Sequence, residues 1–394
     1  MGSDAETAVV AAPLSGERLA RAALRAWDRG DAILPLDPAA PAAELRRLLA
    51  RLRPTHLDEG DGPAPVPRSE WGGAGVPAPA GTAAIVVTSG TTGEPKGVEL
   101  TRAGMEVMGR GYSDGLGVGP GDRWLACLPL HHVASLGVLA RAYVTGVPWT
   151  VHDGFDLERV AHAPRADGAT IVSVVPTALR RLLDSGAPLR EYRRVVVGGA
   201  PCPPALRARA EDAGAVVVDA YGMSETWGGW ALDGIPIAGA QARVADDGEL
   251  LVRGAMVMRG YRLDPAQTSS VLDSDGWLHT GDVGTYDGGV VRVVDRKKDL
   301  VITGGVNVSP TEVEAVLAQH PAVDDVCVVG LPDDEWGERV VAYVVADAPP
   351  RVEDLRAFAR DRLSAPKLPR EVRVVTEIPR SPSGKPLRRL LRGE

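Results

Sequence analysis

The sequence predicts an α/β protein: a large N-terminal layered α/β domain with a β-rich subdomain, then a small C-terminal α+β domain. Three observations carry this. From Ala83 to Asp219, short apolar runs alternate with stretches of helical spacing, the pattern of helices laid on largely parallel strands. From Ile235 to Val294 the pattern changes to short β-type runs broken by Gly and Asp. After Asp295 come a glycine-rich turn, two helices and three strands, a unit of about a hundred residues, the usual size of one domain. The expected division is therefore 1–294 and 295–394.

The elements follow in order. Glu17–Trp27 and Ala42–Leu52 carry apolar residues at helical spacing, and Ala32–Leu36 between them is a short strand. Residues 58–81, rich in Pro, Gly and Ala, read as a loop. A strand at 83–87, a polar glycine-rich loop and a helix from Arg102 to Gly115 come next. Strands are expected at 124–128, 148–151, 170–175, 194–197 and 215–219, with helices at 135–145, 176–185 and 204–212 between them. In the last hundred residues helices are expected at 309–319 and 352–363, and strands at 324–330, 339–346 and 371–375.

Composition removes several classes of function. A net charge of −8 gives no support for nucleic-acid binding. Cys127, Cys202 and Cys327 are odd in number, far apart and outside any CxxC pattern, so reduced, buried thiols are expected instead of disulfides or zinc. No signal segment opens the chain, and no apolar run reaches the ~18 residues of a membrane helix. A cytoplasmic protein without membrane or nucleic-acid partners is expected; the oligomeric state is not legible.

The stretch GTAAIVVTSGTTGEPKGVEL, 81–100, organises the chain. An apolar run ends in ten residues with almost no bulk except one lysine. Glycines such as Gly90 let backbone N–H groups approach an anion. The hydroxyls of Thr88, Ser89, Thr91 and Thr92 add rotatable donors, and Lys96 adds a mobile charge. Residue chemistry allows either a polyphosphate loop or a polar surface turn. The P-loop spacing is absent, because Pro95 precedes Lys96 and Gly97 follows it.

Three further strings carry chemistry. In VDAYGMSETWGG, 218–229, Tyr221 offers a flat face for a purine and Asp219 an acceptor for an exocyclic amine. Ser224 can donate to a phosphate, and Glu225 can hold a hard cation such as Mg²⁺ or remain a solvated loop acid. In HTGDVG, 279–284, Asp282 can accept two ribose hydroxyls or simply close an Asp turn. In LPLHHVASLG, 128–137, His131 and His132 have neither a GxSxG elbow for hydrolase chemistry nor further metal ligands close in sequence.

The ordered TSGTTGEPKG string, YGMSET and WLHTGD together resemble the AMP-forming acyl-CoA synthetases, the adenylate-forming ligases. DRKKDLVITGGVNVSPTEVE at 295–314 and PRSPSGKPLRRLL at 379–391 extend the resemblance, so that it covers residues 81–391. It implies a mobile C-terminal domain and an ATP site made of Thr88, Ser89, Gly90, Thr91, Thr92, Lys96, Gly199, Ala200, Asp219, Tyr221, Gly222, Ser224, Asp282 and Arg296. It further implies Glu225 as the Mg²⁺ ligand, Asp295 as the hinge, and Gly304, Gly305 and Val306 as the passage for the coenzyme A arm. By the same resemblance Lys385 neutralises charge growing between the attacking carboxylate and the α-phosphate. His131, His132, Gly199, Gly222 and Trp227 would line the acid pocket, with His132 moving between half-reactions.

The expected function is an ATP-dependent carboxylic acid–coenzyme A ligase acting through an acyl-adenylate. The short N-terminal region, GDAILPLDP and YGMSET followed by two glycines are similar to the 2-succinylbenzoate–CoA ligases of menaquinone biosynthesis. The LPLHHVAS segment, Trp227 and Trp230 depart from that pattern and leave another aromatic or short acid open. Two alternatives stand beside this: an adenylating enzyme that loads a carrier protein or activates a non-carboxylate acid, and a non-catalytic nucleotide-binding protein.

Overall fold

The computed structural model describes residues 6–65, 74–89, 95–346, 348, 350–380 and 386–393. By packing, the chain divides into two compact units, Met1–Ala242 with Val252–Leu278, and Arg243–Leu251 with His279–Glu394.

The first unit is built on two seven-stranded sheets. One runs in the order Gly260–Tyr261, Pro95–Thr101, Thr82–Ser89, Ala32–Pro35, Val9–Ala12, His56–Asp58, Pro63–Pro65. Its centre is parallel, and its edges are antiparallel. Ala83–Val86 are at most 1% exposed, the burial on both faces that a continuous apolar run predicts for a central strand. The other sheet runs Ile235–Pro236, Gly228–Leu232, Val217–Met223, Arg194–Gly198, Ile171–Val174, Trp124–Ala126, Trp149–Val151. Five strands are parallel here, and the two after Met223 return antiparallel. Aromatics being scarce, its core is Leu, Val and Ala around Leu125, Val172, Leu179 and Val195.

Several strands were not legible. Residues 95–97 belong to the strand Pro95–Thr101, which pairs with Thr82–Ser89 so that Thr88 faces Lys96; a loop was expected there. Pro95 and Gly97 are poor strand formers, and the strand exists because it pairs on both sides, with Tyr261 facing Val98 on the other. Val9–Ala12 and the short pair His56–Asp58 and Pro63–Pro65 were also missed. The helix Arg102–Leu116 starts as expected, with Thr101 Oγ1 accepting from the Gly104 N–H at 2.9 Å.

The second unit holds a five-stranded sheet in the order Val306–Val308, Val301–Thr303, Gly337–Val345, Asp325–Asp333, with Glu371–Val374 parallel to Gly337–Val345. Helices Pro310–Leu317 and Val352–Ala359 contribute Val313, Leu317, Leu355 and Ala359 to its core. Leu278–Asp287 and Val290–Arg296 form an antiparallel pair in a four-stranded sheet with Glu249–Arg253 and Gln241–Val244. Of the thiols, Cys127 and Cys327 are buried and Cys202 is half-buried. Among the described residues no helix is long and apolar enough to cross a membrane.

Candidate functional site

In the first unit the phosphate-loop string becomes the end of a hairpin. Thr88 and Ser89 close one strand and Pro95 and Lys96 open the other; Gly90, Thr91 and Thr92 lie outside the described residues. Lys96 is 8% exposed, and its Nζ lies 4.8 Å from the centroid of the Tyr261 ring. The Tyr261 hydroxyl donates to Glu225 Oε1 at 2.9 Å. The backbone ties the same group together, since Met258 N–H donates to the Glu225 carbonyl and Arg262 N–H to the Gly97 carbonyl, each at 2.7 Å. Beneath them the buried Arg262 pairs with Glu99 at 3.0 Å. Motifs 129 residues apart in the chain, at Lys96 and Glu225, thus meet through Tyr261. Sequence reasoning missed Tyr261; the string RGYR at 259–262 is its only local signal.

The purine-type string lies on Val217–Met223 and the 3-10 turn Ser224–Thr226. Tyr221 packs against Trp230, ring centroids 5.2 Å apart. Gly222 cannot be replaced in place: a Cβ there would stand 1.8 Å from the Gly228 carbonyl oxygen. Asp219 binds Arg207 at 2.8 Å through Oδ2, while its buried Oδ1 has no partner. Burial pushes its pKa up against the opposing pull of Arg207. Gly199 follows the neighbouring strand with φ of +79°, and Ala200 is half-buried beside it.

Trp227 corrects one expectation. It was expected to line the acid pocket, but its side chain is fully buried, and its Nε1 donates to the Thr101 carbonyl at 3.0 Å. A left-handed backbone with φ of +57° turns the indole into the core, so no ring surface is left for a ligand. Trp230 is equally buried.

His131 and His132 precede the helix Val133–Thr145, their rings 4.3 Å apart. Desolvation lowers both pKa values, opposed by Asp37; His132, further depressed by its neighbour, falls to about 4. Both are neutral imidazoles at neutral pH. More than two turns further on, the same helix carries Arg141, 3% exposed, with no carboxylate partner among the described residues and its Nε unsatisfied. Its guanidinium stacks at 4.0 Å on the Tyr112 ring centroid and at 4.9 Å on that of Trp124, whose Nε1 is also buried without a partner. Desolvation lowers the Arg141 pKa and raises that of Tyr112. A Cβ on Gly229 would meet the Tyr112 ring at 2.5 Å, so the ring on which this cation stacks packs against that glycine. A single arginine inside an apolar helix is its only signal in the sequence.

In the second unit Asp282 faces Arg296 across two antiparallel strands, and Arg296 Nε reaches Asp282 Oδ1 at 2.7 Å. The adjacent turn is fixed by Glu249, whose carboxylate accepts from Gly281 N–H at 2.9 Å and from Lys297 Nζ at 3.1 Å. Asp295 is 6% exposed and fully engaged: it accepts from Arg296 N–H at 2.7 Å, Ser309 Oγ at 2.7 Å and Thr311 N–H at 2.9 Å. It therefore ties the end of one strand to the start of helix Pro310–Leu317. Gly304 and Gly305, φ +57° and +78°, form the two-residue turn between Val301–Thr303 and Val306–Val308, with Val306 exposed. Lys385 lies outside the described residues; on either side of it Arg380 bridges Pro386, and Arg388 binds the Glu314 carboxylate at 2.7 Å.

Comparison with known proteins gives a consistent picture. The model of the AMP-binding enzyme family matches residues 39–262, and that of the AMP-binding enzyme C-terminal domain matches residues 312–385. A probable 2-succinylbenzoate–CoA ligase of Mycobacterium tuberculosis is 40% identical over 317 residues, 77% of this chain and 82% of that protein. The structure of o-succinylbenzoate CoA synthetase from Bacillus subtilis, solved with its acyl-adenylate intermediate, superposes with a TM-score of 0.84 at 28% identity, covering 98% of this chain and 88% of that one. An amide bond synthetase, McbA of Marinactinospora thermotolerans, gives 0.84 at 30% identity, covering 99% and 90%.

Proposed function

Because the chain belongs to the AMP-binding enzyme family, an acid–thiol ligase family that forms AMP, we propose that it joins a dicarboxylic acid of the 2-succinylbenzoate type to coenzyme A. The observation that carries the acid assignment is Arg141. A buried cation without a counter-ion is costly unless something anionic completes it. An acid with a second carboxylate supplies that partner, with the Trp124 N–H as a further donor.

The reaction then divides in two. A carboxylate oxygen of the acid attacks the α-phosphorus of ATP, the bond to pyrophosphate breaks, and an acyl-adenylate forms. The sulfur of coenzyme A attacks the acyl carbon, the bond to the AMP oxygen breaks, and the thiol proton leaves to solvent. Thr88, Ser89, Gly90, Thr91, Thr92 and Lys96 hold the phosphates in this reading; Tyr221, Gly199, Ala200, Asp219 and Gly222 take adenine, Ser224 the α-phosphate, and Asp282 and Arg296 the ribose. The half-buried Glu225 is a single carboxylate, and among the described residues no three His, Cys, Asp or Glu gather as a metal cage. That donor set fits Mg²⁺, which is usually held by one or two carboxylates together with substrate phosphates. When bound it neutralises phosphate charge. Lys385 serves the first step and Gly304, Gly305 and Val306 the second, with residues 295–394 turning about Asp295 between them. The neutral His131 and His132 bound the acid without adding charge.

The test is a pyrophosphate-release screen over aromatic and short acids, each with and without a second carboxylate, followed by transfer to coenzyme A or to a carrier protein. Preference for the dicarboxylates and AMP release dependent on coenzyme A are expected. Equal turnover of monoacids sinks the acid assignment, and AMP release with a carrier protein alone moves the acceptor to that partner.

A further inference from the structure

We propose that Tyr261 is a positioning residue of the nucleotide site, orienting the metal-binding carboxylate Glu225 through its hydroxyl and the phosphate-binding Lys96 through its ring face. This rests on the reading of Glu225 and Lys96 given above. Three observations converge. The hydroxyl donates to Glu225 Oε1 at 2.9 Å, which leaves the other carboxylate oxygen to face a cation. Lys96 Nζ stands 4.8 Å from the ring centroid, within the range of a cation–π contact. The backbone does not give at this point: Tyr261 pairs with Val98, Met258 N–H holds the Glu225 carbonyl, and Arg262 is buried against Glu99. Tyr261 itself is 9% exposed, so its ring is held by packing. One rigid side chain thus sets the spacing of a carboxylate and an ammonium on separate strings of the sequence, which is how preorganised sites are kept in register.

The two functions separate by substitution. Tyr261→Phe removes the hydroxyl and keeps the ring face. Without its donor, Glu225 samples more rotamers, so the Mg²⁺ concentration for half-maximal ATP binding should rise about tenfold, while ATP affinity at saturating Mg²⁺ changes little. Tyr261→Leu also removes the ring, and ATP affinity at saturating Mg²⁺ should fall by a further threefold or so. The readout is calorimetric ATP binding across a Mg²⁺ titration, which needs no turnover, with the melting temperature of each free protein beside it. Tyr261→Phe combined with Glu225→Gln closes a double-mutant cycle: coupling through the hydroxyl makes the two effects on Mg²⁺ dependence non-additive, whereas general loosening of the fold makes them additive. Wild-type Mg²⁺ dependence in Tyr261→Phe, or additivity in the cycle, overturns the proposal and leaves the nucleotide site standing. ATP binding by the wild-type protein that ignores Mg²⁺ overturns both.

Discussion

Replacing Arg141 by methionine should move two observables in opposite directions. The guanidinium is 3% exposed and has lost its hydration, yet among the described residues it meets two aromatic side chains and the Met108 sulfur, 3.9 Å from Nη1. Each cation–π contact contributes about 0.5–2 kcal/mol, against an effective desolvation penalty of several kcal/mol for a buried ion. Methionine fills similar volume without a charge, so the free protein should be unchanged or more stable by about 1–3 kcal/mol. With the acid bound the sign reverses. The second carboxylate loses this buried cation, a loss of about 2 kcal/mol or more, or roughly 30-fold and upward in KM for the acid. The assays are calorimetric melting of the free protein and pyrophosphate release against acid concentration. A monoacid analogue is the control, since wild type and variant should handle it alike. A lower melting temperature together with an unchanged KM for the dicarboxylate would refute the reasoning and make Arg141 a packing residue.

Asp282→Ala should weaken ATP binding by about 1.5–3 kcal/mol per lost hydrogen bond to the charged group, read by calorimetry; unchanged affinity removes Asp282 from the ribose site. Lys385→Ala should slow adenylate formation on the order of 10²–10³-fold and leave thioester formation from supplied acyl-AMP near wild type, and single-turnover kinetics of each step would expose an equal loss in both. His132 titrates at about 4 in the folded protein, below the ordinary histidine value. The unfolded chain therefore takes up this proton first, so the contribution of His132 to stability is constant above pH ~6.5 and declines as pH falls from there toward about 4. Melting temperatures between pH 7 and pH 4 should fall less steeply for His132→Asn than for wild type, and parallel curves would count against a desolvated imidazole.

Much of the fold could be read directly. The helices Ala42–Leu52 and Pro204–Asp212 fall on the expected residues, and Arg194–Gly198 and Glu371–Val374 lie within one residue of theirs. These are local signals: apolar spacing, a proline at a helix start, a glycine after its end. The chemical strings were legible for a related reason. Small residues, one lysine and one carboxylate in fixed order mark candidate phosphate and cation strings from local residue types alone. Burial and pairing between distant segments were not legible. Pro95–Thr101 is a strand because Thr82–Ser89 and Gly260–Tyr261 flank it, and neither neighbour can be read from Pro95 or Gly97. Trp227 looked like pocket lining until its backbone turned it into the core. Tyr261 reaches Glu225 across a separation of 36 residues, and Arg141 is unusual because, among the described residues, no carboxylate folds against it. A missing counter-ion is a property of three-dimensional neighbours, so composition and spacing carry no trace of it. At this site, the candidate strings are local features of the chain, and the unpaired Arg141 on which the proposed acid rests is a feature of the fold.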